Sequence, residues 1–233
     1  MNKEQLALRL EQELRAVQAE RSGASRDPAL QAARTALKQF QSQRLSETHA
    51  DLLAAPNTRD AALFFFEELY GSHDLSQRDT DLERIVPTMQ RLLPVNALHT
   101  ITEAIALDAL SEQLDSAMAR QLGTQQVDEA RYVAAYREVG TRAQRERQLE
   151  LVQALGMSLC DLVRVPLLNT TLKMMRAPAR LAGLGDLQQF LERGFDAFKR
   201  MKKPQDFVST IVRREGKALD NCYAGRSTPF DVA

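Results

Sequence analysis

The run RDAALFFFEELYGSHDLSQRDTDLER spans Arg59 to Arg84. Four consecutive apolar residues, Leu63, Phe64, Phe65 and Phe66, stand before the charged pair Glu67 and Glu68. At about 100° per residue, four in a row cover every side of a helical turn. A helix that is apolar all round is buried. Three of the nine Phe of the chain lie here, which places this helix at the centre of the expected core. Gly71 ends it, since glycine accepts the positive φ of a helix C-terminus. A charged turn follows, with His73, Asp74, Arg78, Asp79, Asp81 and Arg84.

Outward from that helix, the chain reads as helix after helix. Residues 3–21 carry Ala7, Leu10, Leu14 and Val17 at coiled-coil-like spacing, and Asp27 and Pro28 open a second helix that runs to Leu53 with Leu30, Ala33, Leu37 and Phe40 on one side. Together they form an N-terminal helical hairpin over residues 1–55. Its leftover apolar residues, Leu6, Leu45 and Leu52, call for a cover, either the body of the same chain or a second copy. Residues 95–122 form the longest unbroken pattern, closed by Gly123. Shorter helices end at Gly140 and at the Pro166 to Pro178 region, and Pro204 opens the last long one. No stretch alternates with period 2 for long enough to be a strand. The expected fold is all-α, a multi-helix bundle of about eight to ten helices. Residues 56–224 form the helical core domain and 225–233 a tail.

Composition narrows the function. The 233 residues are 44% hydrophobic and 27% charged, as in ordinary globular proteins, and the formal net charge is zero. Residues 1–139 hold 15 Lys+Arg against 21 Asp+Glu, a net −6, whereas residues 140–233 hold 16 against 10, a net +6. Two cysteines make no disulfide framework, and Cys160 reads as a small buried residue. No apolar run approaches the roughly 20 residues that span a bilayer. The expected setting is the cytoplasm, with no membrane.

No nucleotide-binding glycine motif, nucleophile elbow or paired-cysteine motif occurs, and with three His the acid–base options are few. No catalytic residue and no cofactor are therefore assigned. The charged turn is the leading candidate for a partner or ligand site, because exposed turns held by rigid helices commonly carry function. The first expectation for this turn is nevertheless structural, a partly buried cap and ion network built on Arg78, Asp79, Asp81 and Arg84 that fixes the chain's exit from the aromatic helix. A metal alternative uses His99 and Glu103, at i and i+4, with Glu67, Glu68 and Asp108 as further ligands. Helical di-iron bundles use Glu-x-x-His, which this chain lacks. A basic group at Arg176, Arg180, Lys199, Arg200, Lys202, Lys203, Arg213, Arg214 and Lys217 suits acidic partners better than nucleic acid, because acidic residues are interleaved with it. Met157, Met174 and Met175 read as core filling.

FFFEELYG, RDTDLERIVP, MQRLLP, ALDALSEQLD and GLGDLQQFLERGFDAF together resemble a family of uncharacterised helical proteins from proteobacteria, with an FFxEELYG…RDxDLxR signature. The likeness runs from about Arg59 to about Leu219. It implies a bacterial cytoplasmic protein and brings no activity, cofactor or catalytic residue. The first expectation for function is a non-catalytic interaction or regulatory protein, with a protein partner or a second copy as a homodimer. The alternatives are a metal-dependent helical-bundle enzyme and a nucleic-acid-associated protein.

Overall fold

A computed structural model describes residues 1–70, 76–93, 95–181 and 183–232, and the side chains of all of these except 67–70, 76–78, 92, 186 and 187. Among the described residues the regular structure is entirely helical. In chain order the helices are α1 (Lys3–Ser25), α2 (Pro28–Thr48), α3 (Ala50–Ala54), α4 (Arg59–Tyr70), α5 (Ser76–Leu92) and α6 (Val95–Leu122). They continue with α7 (Glu129–Glu138), α8 (Arg142–Leu162), α9 (Leu168–Met174), α10 (Arg176–Leu181), α11 (Gly185–Arg200) and α12 (Pro204–Tyr223). The short helices α3, α9 and α10 join the long ones that the spacing predicts.

Local signals place many of the ends. Asp27 accepts from the N–H groups of Ala29 and Leu30, and Pro28 occupies the first turn of α2. Gly123 and Gly140 adopt φ of +64° and +77° just after α6 and α7. Pro87 lies inside α5, which runs through it.

The middle of the bundle is α6, not the aromatic helix. α1, α2, α7 and α8 all pack on α6, and its buried residues run from Leu98 to Leu122 around the helix. The stripe Ile105, Ala109, Glu112, Ser116 and Ala119 is buried at spacings of 4, 3, 4 and 3. Helix α4 instead packs on α2, α3 and α11, with Phe65 and Phe66 buried and Leu63 37% exposed. The expectation that α4 is covered all round is thus corrected. Its apolar run ends in the core cluster with Leu151, Val152, Phe198, Phe207 and Val208, while one side still meets solvent. A 28-residue helix presents more lateral surface than one of 12, so the longer helix takes the centre.

Helices α1 and α2 lie more on α6 than on each other. Leu6, Leu10, Leu14 and Val17 join Leu82, Val86, Leu98 and Ile105 in one cluster. Leu45 packs with Phe66, and Leu52 packs against the same cluster. The leftover apolar residues of the first two helices are therefore covered by this chain's own body.

Candidate functional site

Within α5, Asp79 and Asp81 are buried, at 0% and 1% exposure. Asp79 sits in the first turn of α5 and accepts a hydrogen bond from Nη1 of Arg21. Nη2 of the same guanidinium donates to both oxygens of Asp108, at 2.8 and 3.0 Å, and reaches Glu112 at 3.5 Å. Glu112 also receives Arg34 and, at 2.9 Å, the Lys38 ammonium. Arg34 donates to Ser116 at 2.8 Å, and Gln41 to Asp115 at 2.9 Å. This ladder ties α1, α2 and α5 to α6. Burial lowers the pKa of Arg34 and Lys38, and the charge of Asp115 opposes it.

The turn candidates are thus divided. Asp79 points inward to Arg21. Arg84 lies 3.5 Å from Asp81, beside Gly183 in the turn ahead of α11, and its side chain is 55% exposed. His73 and Asp74 lie outside the described residues, as do the side chains of Arg78, Glu67 and Glu68. Of the metal candidates, Glu103 accepts from Arg9 at 2.5 Å and Arg147 at 2.8 Å, with His99 4.0 Å away. Asp108 is occupied by Arg21. Among the described residues no three His, Cys, Asp or Glu side chains gather with metal-ligand geometry.

A second buried cluster joins the end of α2 to α12. His49, fully buried, lies 3.0 Å from Glu215, which also accepts from Arg44 at 2.5 Å. Arg214 forks onto Asp51 at 2.6 and 2.9 Å. Burial alone would raise the Glu215 carboxyl, but Arg44 and His49 outweigh it and hold it at about 2. The basic group of the second half does not form one patch. Arg214 is buried, Arg176 pairs with Glu192, Arg200 with Asp60 and Lys203 with Asp206.

The polar ladder has a signal in the sequence that the apolar seams alone do not show. Arg21 continues the spacing Leu10, Leu14, Val17, and Arg34 and Gln41 continue that of Leu30 and Leu37. Polar residues at seam positions are the mark of charges that meet partners inside.

The other distinctive feature is on the surface. Met174 and Met175 do not fill the core as the sequence reading has it: they are 72% and 46% exposed. Leu181 is 91% exposed and Leu167 77%. The residues Leu167, Thr171, Met174, Pro178 and Leu181 follow one another at spacings of 4, 3, 4 and 3, and all are exposed. One residue, Met175, separates α9 from α10, so the helical period continues across the break. The opposite side of this segment is fastened down. Ala179 is buried, Gln188 donates to the Leu172 carbonyl at 2.6 Å, and Arg176 grips Glu192 through Nε and Nη2. Its bonds from Arg176 hold the Glu192 carboxyl down at about 2. Leu167 itself has φ of +65°, the one non-glycine positive φ among the described residues. That conformation costs a bulky residue of order 1–3 kcal/mol, and it holds Leu167 out in solvent.

These features define a helical protein braced internally by ion pairs and bearing a fixed apolar stripe on its outside. Residues 20–229 match the family described as a domain of unknown function (DUF8198), and the chain belongs to that family. The match begins within α1, upstream of the aromatic helix, so it takes in α2 as well as the later helices. No curated protein and no solved structure matches the chain.

Proposed function

We propose that this is a non-catalytic interaction protein of the bacterial cytoplasm, and that α9 and α10 carry its docking surface. The observation that carries this reading is the exposed stripe Leu167, Thr171, Met174, Pro178 and Leu181 on a segment clipped to α11. Apolar side chains exposed singly need no explanation, but a periodic row of them does. Methionine suits such a surface, because its unbranched thioether adapts to a partner's shape. The buried carboxylates support the same reading from the other direction. Glu103, Asp108 and Glu112 are each engaged by arginine, which suits bracing of the bundle. The cytoplasmic setting rests on the resemblance and on two buried thiols, Cys160 and Cys222, that stay unpaired.

The test is crosslinking in living cells. A photoreactive residue at Leu181 should give a discrete protein adduct, and the same residue at Arg15, exposed on α1, should not. No adduct at Leu181, or the same adducts at both positions, would remove the docking surface.

A further inference from the structure

Helix α9 and helix α10 belong to the longest part of the second half that carries no acid. Between Asp161 and Asp186 there is no Asp or Glu, and the basic residues are Arg164, Lys173, Arg176 and Arg180. Arg176 is taken by Glu192. Arg164, Lys173 and Arg180 are exposed. Arg164 stands three residues before Leu167, in the turn between α8 and α9. Lys173 and Arg180 each stand one residue before a stripe residue, Met174 and Leu181, and are seven residues apart, so they form a cationic row along one flank.

We infer that this surface binds an acidic amphipathic helix of a partner protein, with the partner's apolar ridge on Leu167, Met174 and Leu181 and its carboxylates against Lys173 and Arg180. This rests on the docking reading above and adds the chemistry of the partner. The spacing of 3 and 4 is that of a narrow helix-to-helix seam. A lipid surface calls for a broad apolar face with large aromatics. The stripe holds no aromatic residue, and its middle positions are Thr171 and Pro178. A second copy fits poorly for two reasons. A symmetric pair would set Lys173 and Arg180 against cations of the same kind. A head-to-tail pair would need a complementary stripe, yet among the described residues the exposed large apolar side chains of the acidic first half are Met1, Leu8, Leu63 and Val95, which form no run at spacings of 3 and 4. Charge complementarity therefore selects an acidic partner of a different sequence.

The experiment uses the full chain and two synthetic helical peptides of about 20 residues. Both carry leucine at alternating spacings of 3 and 4, one flanked by glutamate and the other by lysine. Fluorescence anisotropy should show the glutamate peptide binding about tenfold or more tightly than the lysine peptide. Lys173→Glu with Arg180→Glu should reverse that preference, and Met174→Ser with Leu181→Ser should abolish binding of both peptides without moving the unfolding midpoint. Equal binding of the two peptides, or no binding of either, overturns the inference. So does recruitment to vesicles of phosphatidylglycerol and phosphatidylcholine that Leu181→Ser abolishes, or a dimer in sedimentation that Leu181→Ser abolishes. A crosslinked adduct at Leu181 together with failure of the glutamate peptide would keep the docking surface and discard only the acidic partner.

Discussion

Arg21 of α1 holds Asp108 of α6 through a single guanidinium nitrogen, 2.8 and 3.0 Å from the two carboxylate oxygens. The other terminal nitrogen of the same side chain takes Asp79 of α5. One cation thus fastens three helices, and its removal takes that cation from two carboxylates, of which Asp79 is fully buried. Arg21→Met should cost about 3–5 kcal/mol, the usual consequence of breaking a buried pair from one side. Urea unfolding followed by circular dichroism measures it. A loss below about 1 kcal/mol would show that the ladder is solvated and carries little of the stability.

Glu215 gives the fold an acid sensitivity. Its folded carboxyl titrates at about 2 against an ordinary 4.5, so between these values the unfolded chain binds the extra proton. Stability from this group is therefore complete above about pH 4.5 and is lost as the pH falls towards 2. Glu215→Gln should flatten that part of the stability profile relative to the native chain. Urea midpoints at closely spaced pH values from 5 to 2 will show it, and identical slopes for the two chains would refute the assignment.

Gly156 of α8 faces Val208 of α12. A Cβ there would lie 2.8 Å from both methyl groups of Val208, which is itself buried. Alanine at a helical position would ordinarily gain about 1 kcal/mol over glycine. Here the overpacking costs typically 1–3 kcal/mol, so Gly156→Ala should lower the melting temperature. A raised melting temperature would mean that the two helices separate without cost.

Leu167 separates stability from binding. Glycine adopts φ of +65° without strain, so Leu167→Gly should leave stability unchanged or raise it by up to about 1 kcal/mol. The same change removes the first residue of the stripe and should weaken partner binding. Thermal unfolding and the anisotropy assay read the two effects independently. A clear destabilisation would show that the leucine side chain is needed by the fold.

Much of the local structure was legible in the sequence. Asp27 and Pro28 announced the start of α2, Gly123 and Gly140 the ends of α6 and α7, and Pro204 the start of α12, because each acts through backbone geometry within a turn of its own position. The helical period likewise excluded strands. What the sequence could not supply was which helix faces which. Four apolar residues in a row at Leu63–Phe66 implied a central helix, but centrality depends on how many neighbours a helix can accommodate, and α6 had the length.

Pairing across the bundle was decided by the tertiary structure alone. Arg21 and Asp108 are 87 residues apart, and Arg44 and Glu215 are 171 apart. No local rule links such positions, so the seam spacing does not tell what Arg21, Arg34 and Gln41 face until α1 and α2 are packed on α6. The fate of Met174 had the same cause. Its composition is that of a core residue, but a segment of two short helices has only one side against α11, and Leu172 and Ala179 take it. The sequence by itself determined where the helices begin and end, through capping, glycine and proline. Burial and pairing were decided by the assembled bundle, because both are properties of surfaces brought together from distant parts of the chain.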